Sequence, residues 1–361
     1  MKNTNREYKV IGIMSGTSLD GVDLAYCHFK YQNGIWDHAI IIAKTYPYPK
    51  EWKERLKTLP DQKAHVLRQT DIHYGKFLGQ LVKKFMEDLK CNPDFIASHG
   101  HTVFHRPDEH LTLQIGNGAF IAATTNLPVV CDFRTTDIAL GGQGAPLVPI
   151  GDKMLFPEYD YCLNLGGFAN ISYDHSGQRV AFDICPCNIV LNKYSELLGK
   201  PFDEYGQIAR THNIEMKLFD ELNSLDYYRR QPPKSLGFEW VSKQLFPLLN
   251  KSSQKPGDIL RTFTEHIAYQ INVVIENKKK GKMLVTGGGA YNSYLVEKIK
   301  DISEHQIIVP DEITIQYKEA LIFAFLGVLR MQNEINILKS VTGAIKDHTG
   351  GCIYSINKPA V

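Results

Sequence analysis

Three glycine-rich turns, each closing an apolar run, constrain this chain more than any other feature. They read Ser15-Gly16-Thr17-Ser18-Leu19-Asp20-Gly21, Leu165-Gly166-Gly167-Phe168-Ala169-Asn170 and Thr286-Gly287-Gly288-Gly289-Ala290-Tyr291-Asn292. In the first, the apolar run through Ile11, Ile13 and Met14 stops in hydroxyls and acids, then resumes as Val22-Asp23-Leu24-Ala25. A structural hairpin rarely needs so many polar side chains in so short a turn. Glycine lets backbone N–H groups approach a phosphate closely, and neighbouring hydroxyls add donors. None of the three matches the G-x-x-x-x-G-K-[ST] loop, and none is a G-x-G-x-x-G turn opening a βαβ unit. Together, at strand ends of an α/β chain, they predict a nucleotide held between two lobes. The competing reading is three tight turns. Asp20 and Asp23 are suited to orient Mg²⁺ through water, because that ion keeps much of its hydration and takes few protein carboxylates.

The pattern around these turns is α/β. Residues 8–14 and 22–29 read as strands, with a third at 38–45. Leu78, Val82, Phe85 and Leu89 then follow at helical spacing. A short strand runs into His99 and Gly100, a helix opens near Gly118, and another strand precedes Asp132. Near Gly151 the plan begins again: strand, glycine bend at Gly166 and Gly167, strand, and a further strand ending at Asp183. Helices are expected over 187–198, 258–279 and 318–331. The repetition predicts two lobes, 1–150 and 151–361, with the last residues placed to pack back on the first lobe.

Composition excludes several partners. The 361 residues carry a formal charge of +2, which gives no electrostatic reason to expect nucleic acid or an anionic membrane. Lys278-Lys279-Lys280 before Gly281 fits a helix C-terminus better than a binding patch. The polar N-terminus lacks an apolar secretion segment, and no apolar stretch is long enough for a span. Seven scattered cysteines suit reduced thiols in a cytoplasm. Cys185 and Cys187 lack the two-residue gap of a redox or zinc site. His99, His101 and His105 have no cysteine or acidic partner at metal-binding spacing, so hydrogen bonding to sugar or backbone is the preferred reading.

Beyond these physical readings, Met14-Ser15-Gly16-Thr17-Ser18-Leu19-Asp20-Gly21-Val22-Asp23 resembles the signature of the anhydro-N-acetylmuramic acid kinase family. The resemblance continues in order through SHGHTVFHRP, TLQIGNG, CDFRTTDIALGGQGAPLVP, LNLGGFANIS, GGGAYN, EALIFAFL and VTGA. It implies two actin-like (ribonuclease H-like) lobes with an active-site cleft between them, and a cytoplasmic homodimer. The implied reaction opens the 1,6-anhydro ring of anhydromuramic acid with water and phosphorylates O6 from ATP.

Carried over, Gly16, Thr17, Ser18, Leu19, Asp20, Gly21, Val22 and Asp23 form the first phosphate loop. Gly166 and Gly167 join the nucleotide site, and Gly287, Gly288 and Gly289 lie against the adenosine end. Arg134 and Glu319 fall in stretches used around the sugar, with His99 beside them, and Asp183 matches the catalytic base. Asp183 between Phe182 and Ile184 suits a rigid carboxylate beside a water; capping the following helix is the alternative. Arg134 offers a donor fork for a lactyl carboxylate or phosphate, or for a surface ion pair. The loop 141–149 is read as lining the sugar pocket, or as an architectural bend.

One stretch departs from the family. Where it reads Asp-Thr-Gly-Pro-Gly-Asn, this chain has Asp183-Ile184-Cys185-Pro186-Cys187-Asn188, and Asn192 replaces a later acid. The base is kept; a hydroxyl and two glycines are not. A kinase for another amino sugar, or a non-enzymatic ATP-dependent protein of the same fold, are the other readings.

Overall fold

The computed structural model describes residues 5–16, 19–251 and 255–356. Thr17 and Ser18, both expected in the phosphate loop, lie outside them. The chain divides into two compact units, Met1–Phe156 with Tyr317–Val361, and Pro157–Gln316. The sequence boundary at 150/151 and this division differ mainly in the last segment, which belongs with the first unit.

The strands in chain order are β1 (Arg6–Met14), β2 (Gly21–Gln32), β3 (Ile35–Pro47), β4 (Phe95–Ser98), β5 (His101–Arg106), β6 (Leu111–Ile115), β7 (Val129–Cys131), β8 (Tyr161–Leu165), β9 (Phe168–His175), β10 (Gln178–Pro186), β11 (Lys282–Thr286), β12 (Gln306–Ile308) and β13 (Cys352–Tyr354). In the first unit the sheet order is β13-β7-β4-β1-β2-β3. Strands β1 to β3 form an antiparallel meander, while β4 and β7 add in parallel beyond β1. In the second unit the order is β10-β9-β8-β11-β12, again a meander on one side and two parallel strands on the other. Apart from β13, the two sheets share one plan. That plan is the actin-like arrangement.

Each sheet is covered by helices whose apolar faces follow the sequence period. In the first unit the helix Ala64–Leu89 buries Thr70, Tyr74, Leu78, Val82 and Phe85, a spacing of three and four. Val10, Ile11 and Ile13 of β1 have no exposed surface, as befits a central strand covered on both faces. The helix Glu312–Met331 supplies Phe323, Phe325, Leu326 and Leu329 to the interior of this unit. Phe325 packs edge-on against Trp36 and lies 5.5 Å from the Phe29 ring. In the second unit the helix Pro256–Ile275 buries Ile259, Phe263, Ile267 and Ile271 against the sheet residues Leu163, Ile171 and Val285.

Two expected boundaries move. The strand carrying Asp183 does not end there: β10 runs to Pro186, with a shift of register against β9 between Asp183 and Cys185. The helix expected to reach residue 279 stops at Ile275, so Lys278, Lys279 and Lys280 lie beyond it rather than in its last turn. Their place is explained by other contacts. Lys278 lies over the Tyr173 ring, the Lys279 carbonyl accepts from Tyr161, and Lys280 pairs with Glu304.

Candidate active site

The first unit builds its polar face from the ends of β1, β2 and β4. Ser15, at the end of β1, is buried; its Oγ donates to the Gly100 carbonyl at 2.9 Å and accepts from the Tyr74 hydroxyl at 3.0 Å. Leu19 takes a left-handed conformation with φ of 59° and packs its side chain against the core. Asp20 is exposed. A Cβ on Gly21 would stand 2.5 Å from the Tyr46 carbonyl oxygen, so the β2–β3 pairing itself requires this glycine. Val22 points into the core and offers a ligand only its backbone.

Asp23 lies on the opposite face of β2 from Val22 and accepts from Thr45 Oγ1 at 2.6 Å. Burial raises its carboxyl above the usual range, against the pull of that hydrogen bond. One exposed and one hydrogen-bonded carboxylate fit a hydrated Mg²⁺ better than a direct protein cage. Among the described residues, no three His, Cys, Asp or Glu side chains gather as a metal-binding group.

The histidines of the SHGH stretch serve the backbone and Arg134. His99 is 5% exposed, and its Nδ1–H donates to the Gly100 carbonyl at 2.8 Å. Its Nε2 is therefore the acceptor, receiving Arg134 Nε at 3.1 Å and Nη2 at 2.8 Å. Burial, and then the Arg134 charge, hold the ring neutral by pushing its pKa well down. Arg134 Nη1 donates to the Gly144 carbonyl at 2.5 Å. Its pKa falls to about 10 through burial, countered by Glu319, so the guanidinium stays charged at neutral pH. His101 contacts the Gly16 backbone, with its pKa lowered to about 4 by burial. His105 is exposed and meets Thr112 at 3.3 Å.

Glu319 is accessible at its surface, yet the protein around it desolvates the carboxyl and raises its pKa, against Lys318 and Arg134. Neighbouring Lys318 is buried and paired with Asp152 at 2.7 Å. The loop 141–149 is fixed by Asp137, which is fully buried. Its Oδ2 accepts from the Gly144 N–H and its Oδ1 from the Thr342 hydroxyl, each at 2.7 Å. Neither Asp137 nor Thr342 stood out in the sequence, although both sit in the quoted stretches.

In the second unit Asp183 is partly buried on β10. Leu236 N–H donates to its Oδ2 at 2.8 Å, and the Tyr227 hydroxyl donates to its main-chain carbonyl at 2.6 Å. Desolvation raises its carboxyl to about 6, with the Leu236 N–H drawing it back. It does not cap the following helix: Asn188–Glu196 begins after Cys187, with no side-chain cap.

That helix start meets the glycine turns. Asn188 N–H donates to the Gly166 carbonyl, and Cys187 and Ile189 N–H to Gly167. These donors are thus already satisfied. The Asn188 side chain donates to the Leu165 carbonyl at 2.9 Å and comes near Gly288 and Gly289. A Cβ on Gly289 would meet Leu165 at 2.7 Å, and one on Gly287 would strike Asn164 and Leu165. Gly167 faces open space instead, and a Cβ on Gly288 would meet only Asn188 Nδ2, at an ordinary contact distance of 3.6 Å. The turns at 166–167 and 287–289 therefore converge on Asn188, a residue the sequence reading had not singled out.

Two units of one actin-like plan, with glycine turns at strand ends of both sheets, define the chain as a member of the actin-like class of folds. Within that fold class, the model for "AnmK: Anhydro-N-acetylmuramic acid kinase" matches residues 8–356, and the chain belongs to that family of ATP-dependent sugar kinases. It is 34% identical to the anhydro-N-acetylmuramic acid kinase of Francisella tularensis subsp. novicida, covering 94% of this chain and 96% of the relative. A Coxiella burnetii relative of the same name is also 34% identical, over 96% and 97%. One from Sulfurimonas denitrificans is 31% identical, over 95% and 98%. Among solved structures, an activator of 2-hydroxyisocaproyl-CoA dehydratase from Clostridium difficile with bound ADPNP is similar with a TM-score of 0.44 and 14% identity, covering 90% of this chain and 97% of that one.

Proposed function

We propose that this chain is an ATP-dependent kinase that hydrolytically opens 1,6-anhydro-N-acetylmuramic acid and phosphorylates O6, giving N-acetylmuramic acid 6-phosphate in peptidoglycan recycling. The family match over residues 8–356 carries this reading. In an anhydro sugar, O6 is bonded to C1 and has no hydroxyl to attack ATP. Water must add to C1, the C1–O6 bond must break, and the departing O6 must take the γ-phosphoryl group, leaving ADP.

Asp183 is the group for the water's proton. A carboxyl titrating near pH 6 is ionised at neutral pH yet more basic than an ordinary aspartate. Its Oδ2 is held by Leu236, and Oδ1 has no hydrogen-bond partner among the described residues. Arg134, oriented by neutral His99, binds the lactyl carboxylate, and Glu319 accepts from a sugar hydroxyl or amide. The 16–23 loop binds phosphate, while Gly166, Gly167 and Gly287–Gly289 take the rest of the nucleotide. Asp20 and Asp23 would hold Mg²⁺ through water, and that ion would supply charge neutralisation at the phosphates. The enzyme works in the cytoplasm as a homodimer. No described helix is long and apolar enough to cross a membrane.

The test is ATP turnover by the purified protein with and without anhydromuramic acid, run in ¹⁸O-labelled water. Sugar-dependent ADP release, with label at C1 of the product and none in the phosphate ester, is expected. Turnover independent of the sugar, or label in the phosphate, overturns the reading.

A further inference from the structure

The segment from Tyr227 to Leu236 enters the reading above only through the Leu236 N–H, yet it meets Asp183 at three separate atoms. The Tyr227 hydroxyl donates to the Asp183 carbonyl at 2.6 Å. Asp183 N–H donates to the Lys234 carbonyl at 3.3 Å, so the segment lies alongside β10 as an extra, irregular partner. Leu236 N–H donates to Oδ2 at 2.8 Å. These contacts fall where β10 loses register with β9, between Asp183 and Cys185. Sheet pairing is weakest there, so the segment supplies the constraint that the sheet does not.

The segment is itself firmly seated at its near end. Tyr227 is 2% exposed and packs its ring against Trp240 and Tyr228. Tyr228 in turn bonds His266 at 2.9 Å, and His266 meets Asn223 at 2.7 Å, both within the buried face of the helix Pro256–Ile275. At its far end the Lys234 ammonium lies over the Tyr227 and Phe182 rings and donates to the Tyr227 carbonyl at 3.4 Å. The segment is thus closed on itself beside the carboxylate.

We propose that the segment Tyr227–Leu236 is the positioning element of Asp183, with Leu236 N–H holding Oδ2 so that Oδ1 alone receives the proton of the attacking water. This rests on the reading of Asp183 as the base. A main-chain donor at one carboxylate oxygen favours the ionised form and fixes the carboxyl plane, whereas a freely rotating carboxylate would present either oxygen. The titratable groups around Asp183 are Tyr227, Cys185 and Lys234. Burial raises the first two above their usual ranges, which keeps them neutral near pH 6, and lowers Lys234. Only the carboxyl then changes charge near pH 6.

Leu236→Pro removes the donor, and Leu236→Ala keeps it while trimming the side chain. The Asp183 carboxyl is followed by ¹³C NMR in the unliganded protein, its resonance assigned by its loss in Asp183→Asn. The proline variant should titrate at least half a pH unit higher than the unaltered protein, and the alanine variant should match it. The acid limb of kcat should move with the titration, with KM for ATP and sugar within about twofold. Tyr227→Phe, which leaves the backbone free to fold, should lower kcat about tenfold at unchanged KM, following the rough worth of one hydrogen bond. A proline variant titrating like the unaltered protein, an alanine variant shifted as far as proline, or a Tyr227→Phe enzyme of normal kcat would overturn the proposal. Should the unaltered protein phosphorylate no anhydro sugar, the base reading falls, while the NMR shift still decides whether the segment holds the carboxylate.

Discussion

A carboxyl that titrates near pH 6 inside a folded chain sets reactivity against stability. Asp183 is raised to about 6 by desolvation. Because the folded protein holds that proton more tightly than the unfolded chain, the group favours folding below the ordinary aspartate range. That contribution is lost as pH rises through 6. Ionised Asp183 therefore costs stability at neutral pH, about 2–3 kcal/mol for a shift of this size. Asp183→Asn should gain up to that much in urea unfolding at pH 7.5, and the gain should vanish by about pH 4. The same variant should lose at least ~10²-fold in kcat, the low end of general-base assistance. In the unaltered enzyme kcat should fall tenfold per pH unit below 6. An Asn variant whose gain over the unaltered protein is no larger at pH 7.5 than at pH 4 would contradict the assignment of the raised carboxyl. Arg134 is the second residue-scale case. Its two bonds to His99 leave the fork oriented but uncompensated by the neutral ring. His99→Phe should raise KM for the sugar about tenfold with kcat nearly intact, and steady-state kinetics would show it. The motifs mark Asp183 and Arg134 as candidate site residues. The motifs do not mark what holds them, because Leu236 and His99 act through a main-chain N–H and a chosen tautomer, neither of which has a sequence signature.

At the scale of elements, the glycine turns separate into packing and open positions. Sequence marks every glycine alike, since nothing in the letter tells whether a missing Cβ makes room for a neighbour or a ligand. Gly21 makes room for the Tyr46 carbonyl, and Gly289 for Leu165, whereas a Cβ on Gly288 would make only an ordinary 3.6 Å contact with Asn188 Nδ2. Gly21→Ala should therefore destabilise the fold, seen as a lower melting temperature. Gly288→Ala should leave melting unchanged and weaken ATP binding in calorimetry. Equal melting for the two would show that the distinction fails. The departure at Cys185 and Cys187 resolves in the same way. Both side chains have no exposed surface and belong to the second unit's core, among Ile184, Val190 and Phe263. Burial also raises both thiols, Cys187 to about 12, so neither is a ready nucleophile. Restoring glycine at both would empty core volume, which costs about 2 kcal/mol or more by analogy with other large-to-small changes. Reduced stability with no gain in ATP affinity is the expected outcome; tighter ATP binding at unchanged stability would refute it. Comparison with the family pattern marks these positions only as lost glycines, and packing shows that both side chains enter the core.

Across the whole molecule, the repeated β-turn-β pattern makes two α/β units legible, with the last residues expected to pack back on the first, but it does not say which helix returns or what that helix meets. That information lies in long-range packing rather than in local period. The apolar run around Leu321–Leu329 reads as a helix wherever it docks, and sequence spacing does not name its partner. In the structure Phe325 sits against Phe29 and Trp36, and the Cβ missing from Gly327 leaves room for Phe95 and Ala97. Asn336 and the Gly350 region continue this return: the Asn336 side chain bonds the Leu326 and Gly350 carbonyls. β13 then pairs with β7. The first unit is thus assembled from both ends of the chain, while the second is one continuous stretch with a core drawn from residues between Tyr161 and Ile315. The two should differ when cut out. A fragment of residues 157–316 contains its whole sheet and core, so it should unfold cooperatively in urea by itself. A fragment of residues 1–156 lacks the helix that covers β1, β2 and β4, leaving large apolar side chains such as Phe29 in water, at about 25 cal/mol for each Å² exposed. It should be aggregated or molten alone. Adding a separate 317–361 peptide should restore near-ultraviolet circular dichroism and a cooperative transition. A 1–156 fragment that melts cooperatively without the peptide would show that the return segment is dispensable to this core.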